Sequence, residues 1–202
     1  MKYAGIGCLV LLVLGVLIIG GSVVGGYNSL VALDQAAQQA WGQVQNVYQR
    51  RADLVPNLVE TVKGAANFEK ETFTQVTEAR AKVGQVTNQV AAKPPASQAQ
   101  LDQFQQAQAG LGNALSRLLV VVEKYPELKA TQNFRDLQAQ LEGTENRIAV
   151  ERMRFNEAAQ AFNTSRQSFP TLFIAGLFGS RFDLKPYFKA QEGAETAPKV
   201  KF

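Results

Sequence analysis

Phe134, Leu141, Ile148, Phe155, Phe162 and Phe169 recur every seven residues, a spacing that keeps large apolar side chains on one stripe of a helix. Leu137, Thr144, Glu151, Ala158 and Ser165 fill the intermediate steps, so a helix of nearly forty residues is predicted. A second seam runs through Leu101, Phe104, Gln108, Leu111, Leu115, Leu118, Val122 and Tyr125 in alternating steps of three and four, and only Gln108 in it is polar. A third uses Val55, Val62, Val76, Val83 and Val90, with Val59, Ala66 and Phe73 on the adjacent row. Leu30, Leu33, Ala37, Val44 and Val47 continue it upstream. No segment alternates with the period of a strand.

The punctuation between these stretches is chemical. "AAKPPASQAQ" ends one helix with two prolines and starts the next, with Ser97 and Gln100 spaced as a capping box. "EKYPELKATQNF" carries Pro126 and separates the third helix from the fourth. Within "RRADLVPNLVETVKGAANFEKET", Asp53 reads as an N-cap and Pro56 as a first-turn residue, which makes "RRAD" the corner between helices one and two. Gly64 to Asn67 admits a kink. Glu69, Arg80, Gln108, Thr144 and Glu151 fall on the seams, where an unpaired polar group is costly to bury. Either the ends of the bundle are wet where they fall, or they pair across helices and fix the register, or they line a partner-binding groove.

Upstream of the seams, no charged residue occurs from Tyr3 to Leu33, and residues 4–24 are almost wholly apolar or small. About 20 such residues cross a bilayer as a helix. A cleaved signal peptide fits less well, since the basic region is Lys2 alone, the apolar run is too long and no small-residue cleavage site ends it. Cys8 has too few residues before it to be a lipoprotein cysteine. Lys2 is the only basic residue close to either end of the span, which favours a cytoplasmic N-terminus and an extracytoplasmic body. Gly21 and Gly25 form a small-xxx-small pair that would let two such helices approach closely.

The expected architecture is therefore all-α: a transmembrane segment over 1–26 that continues into an antiparallel up-and-down four-helix bundle of long helices over 27–169. A tail over 170–202 is apolar, then polar. At the junction and near the start of the tail stand Phe169, Leu172, Phe173, Leu177 and Phe178, the candidate tail contacts. Such a segment packs back on the bundle, contacts another protomer or lies in the membrane interface. Its glycines and prolines weaken a long amphipathic helix and favour the first two.

Composition narrows the function. The net charge of +4 sits on Lys2, on Lys93 and in the C-terminal tail, because residues 25–90 carry six acids and six bases and residues 97–169 carry eight of each. No basic stripe suits nucleic acid. Histidine is absent and the only cysteine lies in the apolar run, which removes the common zinc-ligand sets and imidazole-assisted nucleophiles. Neither a P-loop nor a dinucleotide fingerprint is present. No catalytic, cofactor-binding or metal residues are expected, and the chain is read as a non-enzyme.

The blocks "RRADLVPNLVETVKGAANFEKETFTQVTEARA", "LLVVVEKYPELKATQNFRDLQAQLEGTENRIAVERMRFNEAAQAFNTSRQSFP", "IAGLFG", "KPYF" and "PKVKF" resemble the bacterial LemA family in content and order. The resemblance implies a single-pass membrane protein with a helical bundle and no established activity. It also implies an accessory or adaptor role for some members, beside a membrane zinc metalloprotease of the HtpX type. Arg50, Arg51, Asp53, Pro56, Asn57 and Glu60 match one family block, and Glu145, Asn146 and Arg147 match another. If their helices lie side by side, these residues form a charged network, structural first and a contact surface second. The function expected is a membrane-anchored scaffold of the bacterial inner membrane that forms homo-oligomers.

Overall fold

The computed structural model describes residues 2–63, 70–90 and 93–189. Four long helices dominate: α1 (Lys2–Lys63), α2 (Lys70–Gln89), α3 (Gln98–Val122) and α5 (Gln132–Gln167). Two short ones, α4 (Pro126–Lys129) and α6 (Thr171–Leu177), and a 3-10 turn at Gly179–Phe182 complete the order. No strand occurs among the described residues.

The seams do what their spacing requires. Leu101, Phe104, Gln108, Leu111, Leu115, Leu118 and Val122 are all buried along α3, and Phe134, Leu141, Ile148, Phe155 and Phe162 along α5. Ser97 caps α3 by accepting from the Gln100 amide at 3.3 Å, while Gln100 Oε1 accepts from the Ala96 amide at 2.8 Å. That reciprocal pair satisfies donors which a helix start otherwise leaves open.

α1 and α5 pack antiparallel: moving up α1, Leu30 meets the layer of Phe162, Trp41 meets Phe155, and Arg51 meets Glu145. α2 and α3 form the second antiparallel pair, tied at one end by Arg117 Nη1 donating to Gln75 Oε1 at 3.1 Å. Trp41 Nε1 and Gln45 Nε2 both donate to the carbonyl of Val90, at 3.2 and 2.9 Å, so α1 holds the end of α2.

The core is layered along α1. Farthest from the apolar end, Val55, Leu58 and Val62 join Val76, Val83, Leu111, Leu115, Leu118 and Phe134. In the middle, Trp41 packs edge-on against Phe104 and Phe155 at 5.3 and 5.4 Å between ring centroids. Such ring pairs add about 0.5–1.5 kcal/mol each beyond their burial. Nearest the apolar end, α2 and α3 are gone, and Leu30 packs with Phe162, Ile174, Ala175 and Phe182 instead.

Two expectations are corrected. "RRAD" is not a corner: α1 runs unbroken through it, Asp53 is no cap and Pro56 lies inside the helix. A proline there removes the bond to the carbonyl four residues back, that of Ala52. Arg80 Nε of α2 donates to this same oxygen at 3.2 Å, replacing the missing helical donor. Pro56 itself is exposed. The expected kink at 64–67, Ala66 and the seam residue Glu69 lie outside the described residues.

The second correction is Phe169, which extends the seven-residue pattern yet is 82% exposed. α5 ends at Gln167, and Ser168 is already extended. The residue before a proline is steered away from helix, so Pro170 ends the register just where Phe169 would have joined it.

Candidate functional site

Of the charged network expected between the two helices, one pair forms. Arg51 is 4% exposed and its Nη1 donates to Glu145 Oε1 at 2.8 Å. Its Nη2 donates to the backbone carbonyl of Gln108 at 2.9 Å and to Gln108 Oε1 at 2.5 Å. One guanidinium therefore ties α1, α3 and α5 together. The Tyr48 ring lies beneath it, 5.1 Å from the guanidinium carbon. Burial pushes the Tyr48 hydroxyl above its ordinary range, an effect that Arg152 and Arg51 partly oppose.

The other residues of the two blocks stand elsewhere. Asp53 accepts from Gln49 Nε2 at 2.7 Å, and Glu60 pairs with Lys63 at 2.8 Å, both along their own helix. The Asn57 carbonyl accepts from Thr61 Oγ1 at 2.8 Å. Arg50, Pro56, Asn57, Asn146 and Arg147 are exposed. Gln108, conspicuous in the sequence as the lone polar residue of its seam, is the partner that the two blocks do not contain.

Beside the Arg51 centre runs an open groove of ≈ 720 Å³ between α3 and α5. Gln105, Gln108, Asn113, Ser116, Glu145 and Arg152 line it. Within it, Arg51 Nε and Gln108 Nε2 are buried donors with no partner among the described residues. The lining mixes hydrogen-bonding side chains with charge, Arg51, Arg152 and Lys189 against Asp102 and Glu145, which leaves one positive charge in excess. No cluster of carboxylates or thiols that could hold a metal occurs among the described residues.

The end of the described chain is threaded onto the bundle by side-chain amides. Asn163 Nδ2 donates to the Lys185 carbonyl and Asn163 Oδ1 accepts from the Lys185 amide, both at 2.8 Å. Asn156 does the same for Phe188, at 2.9 and 2.8 Å. Gln98 grips both backbone groups of Tyr187 from α3, at 3.1 and 3.3 Å. These amides supply the bonds that a neighbouring strand would give. Phe188 then fills the aromatic layer, stacked on Trp41 at 6.1 Å, and Lys185 pairs with Asp34 at 2.6 Å. The sequence does carry a trace of this, because Asn156 and Asn163 are seven apart and each follows a core phenylalanine.

The residues singled out in the tail take the opposite place. Ile174 and Ala175 are buried against α1, while Phe169, Leu172, Phe173, Leu177 and Phe178 are all exposed. Gly21 and Gly25 face open space. Gly26, one residue on, is the glycine in use: a Cβ there would overlap Ile174 Cδ1.

Residues 40–202 match the LemA family. The chain belongs to the LemA family. Among curated proteins it is similar to magnetosome protein MamQ 1 of Paramagnetospirillum magneticum, 26% identical over 184 residues that cover 84% of this chain and 67% of that protein. MamQ of Magnetospirillum gryphiswaldense matches to the same extent, 26% over 184 residues. Protein LemA of Metamycoplasma hominis is 25% identical over 152 residues, 75% of this chain and 64% of its own length. Among its described residues this LemA-family chain also has one helix long and apolar enough to cross a membrane, with a mean hydropathy of 1.9 in its apolar window and none of that window buried. That unburied apolar segment marks it as membrane-associated.

Proposed function

We propose that this LemA-family chain is a non-enzymatic structural protein of the bacterial inner membrane, anchored by α1, with its bundle on the extracytoplasmic side. It acts as a scaffold that self-associates through the Gly21–Gly25 face of the span and through outward residues of the bundle. The observation that carries this reading is the continuity of α1, one helix of 62 residues from the apolar segment to the far end of the bundle. A bundle built on its own anchor is a rigid post, suited to holding position. The buried polar groups of the bundle support the same role, since Arg51 Nη1 and Nη2 both donate to neighbouring helices.

A second reading is an adaptor for a membrane protein, including a zinc metalloprotease of the HtpX type. The groove beside Arg51 favours it, because its glutamine, asparagine and serine lining could hydrogen-bond an incoming segment. Cross-linking of the tagged full-length protein in intact membranes, then mass spectrometry, separates the two. Copies of the chain alone support the scaffold. A protease or other envelope protein in fixed proportion supports the adaptor, and monomers without neighbours overturn both.

A further inference from the structure

We infer that the α6 segment is a second membrane contact, a foot whose exposed apolar face lies in the lipid headgroup layer beside the point where α1 leaves the bilayer. This rests on the reading of the apolar end of α1 as membrane-embedded.

The position follows from α1 itself. Residues 4–24 make a helix of about 30 Å, the thickness of a bilayer's hydrocarbon core. Gly26, against which Ile174 sits, is two residues beyond Val24, so about 3 Å farther along the axis. Val23, still inside the span, already packs against the cluster of Ile174, Ala175 and Phe182. The bilayer interface, with its headgroups, extends about 5–8 Å beyond the hydrocarbon on each side. α6 is therefore held at interfacial depth by contacts within the chain.

Its two faces are sorted accordingly. Thr171, Ile174 and Ala175 are buried against α1, whereas Leu172, Phe173 and Leu177 on the opposite side are 46%, 66% and 77% exposed. Phe169, next to them, packs edge-on against Phe173 at 6.0 Å and is itself exposed. Phenylalanine and leucine in such numbers are what an interfacial segment inserts below the headgroups. Tyr27 sits at the same level, packed against Phe178 and Phe182 and covered by Arg181, whose guanidinium carbon is 5.5 Å from the ring. Tyrosine is enriched at that depth in membrane proteins. Charge agrees: from Ala158 to Phe182 there are two arginines and no carboxylate, and Asp34, the first acid of α1, is neutralised by Lys185. The exposed Asp183 follows directly, so residues 158–183 carry two arginines against one carboxylate and remain net positive.

The test is nitroxide labelling of single cysteines in a Cys8→Ser background, with the full-length protein in nanodiscs of phosphatidylethanolamine and phosphatidylglycerol. Labels at Phe173→Cys and Leu172→Cys are compared with Leu14→Cys in the span and Val120→Cys at the far end of the bundle. Accessibility to oxygen and to a water-soluble nickel complex gives depth. The expected result is nickel accessibility at 172 and 173 several-fold below that at 120, with depth between headgroup and upper acyl chain. Equal accessibility at 173 and 120, with 14 deep in lipid, overturns the foot and leaves the anchor. A label at 14 in water overturns the anchor as well. Spin–spin broadening at 173 that vanishes on dilution with unlabelled chain assigns the patch to a second copy and also overturns the lipid contact.

Discussion

Arg80 of α2 donates its Nε–H to the Ala52 carbonyl, the acceptor that Pro56 leaves vacant inside α1. A proline in a helix interior costs about 3 kcal/mol, part of which is the lost bond. Arg80→Met should then destabilise the full-length protein in mild detergent by about 1 kcal/mol, read from urea unfolding by circular dichroism. Pro56→Ala should stabilise it. In the Pro56→Ala background the effect of Arg80→Met should shrink by about half or more, because an alanine at that position brings its own backbone donor. Purely additive effects would show that the two residues do not share the carbonyl.

Arg51 and Glu145 should not be equivalent despite forming one ion pair. Arg51 is buried, whereas the Glu145 side chain is 47% exposed. Arg51→Met strands the buried acceptors of Gln108 and should cost about 2–4 kcal/mol. Glu145→Gln leaves a partner within reach and opens onto water, so about 1 kcal/mol or less is expected. The same unfolding measurement tests both, and a larger loss for Glu145→Gln would contradict the geometry.

Tyr48 gives the fold a defined alkaline limb. Its hydroxyl titrates above the ordinary value of about 10 when folded, chiefly through burial. In the window between the unfolded and folded values the unfolded chain has lost the proton and the native chain keeps it. Stability is thus full below about pH 10 and falls as pH rises through the folded value. Tyr48→Phe should flatten this part of the pH–stability profile while leaving neutral pH nearly unchanged.

The amide clamps can be opened one at a time. Asn163→Ala removes both bonds to Lys185, and Asn156→Ala both bonds to Phe188. Each should cost about 1–3 kcal/mol. Hydrogen exchange should accelerate at the amides of 185 and 188 well before α3 or α5 responds. Uniform acceleration over the whole bundle would mean that the strap and the core unfold as one unit.

The heptads make the long helices readable because burial of Phe104, Leu111, Phe155 and Phe162 decides those faces, and nothing local competes. The corner expected at Asp53 fails for the opposite reason. N-cap and proline signals are local, and a continuous apolar row through Val44, Tyr48, Val55, Leu58 and Val62 outweighs them. Gln108 stands out as an anomaly on a seam, and its partner Arg51 as part of a block. Their meeting depends on how α1, α3 and α5 pack, which spacing alone does not set. The strap is least legible, since extended backbone held by asparagine side chains leaves no periodic trace of its own.

Because α1 has no hinge between lipid and Lys63, it is a lever. From Val24 to Lys63 it extends about 58 Å, so each 10° of tilt of the span sweeps the far end of the bundle through about 10 Å. Changes of bilayer thickness tilt such spans by comparable angles. With the span in lipid, as proposed, the local thickness of the membrane would set where the outermost residues stand, and the foot at α6 is where that pivot would lie.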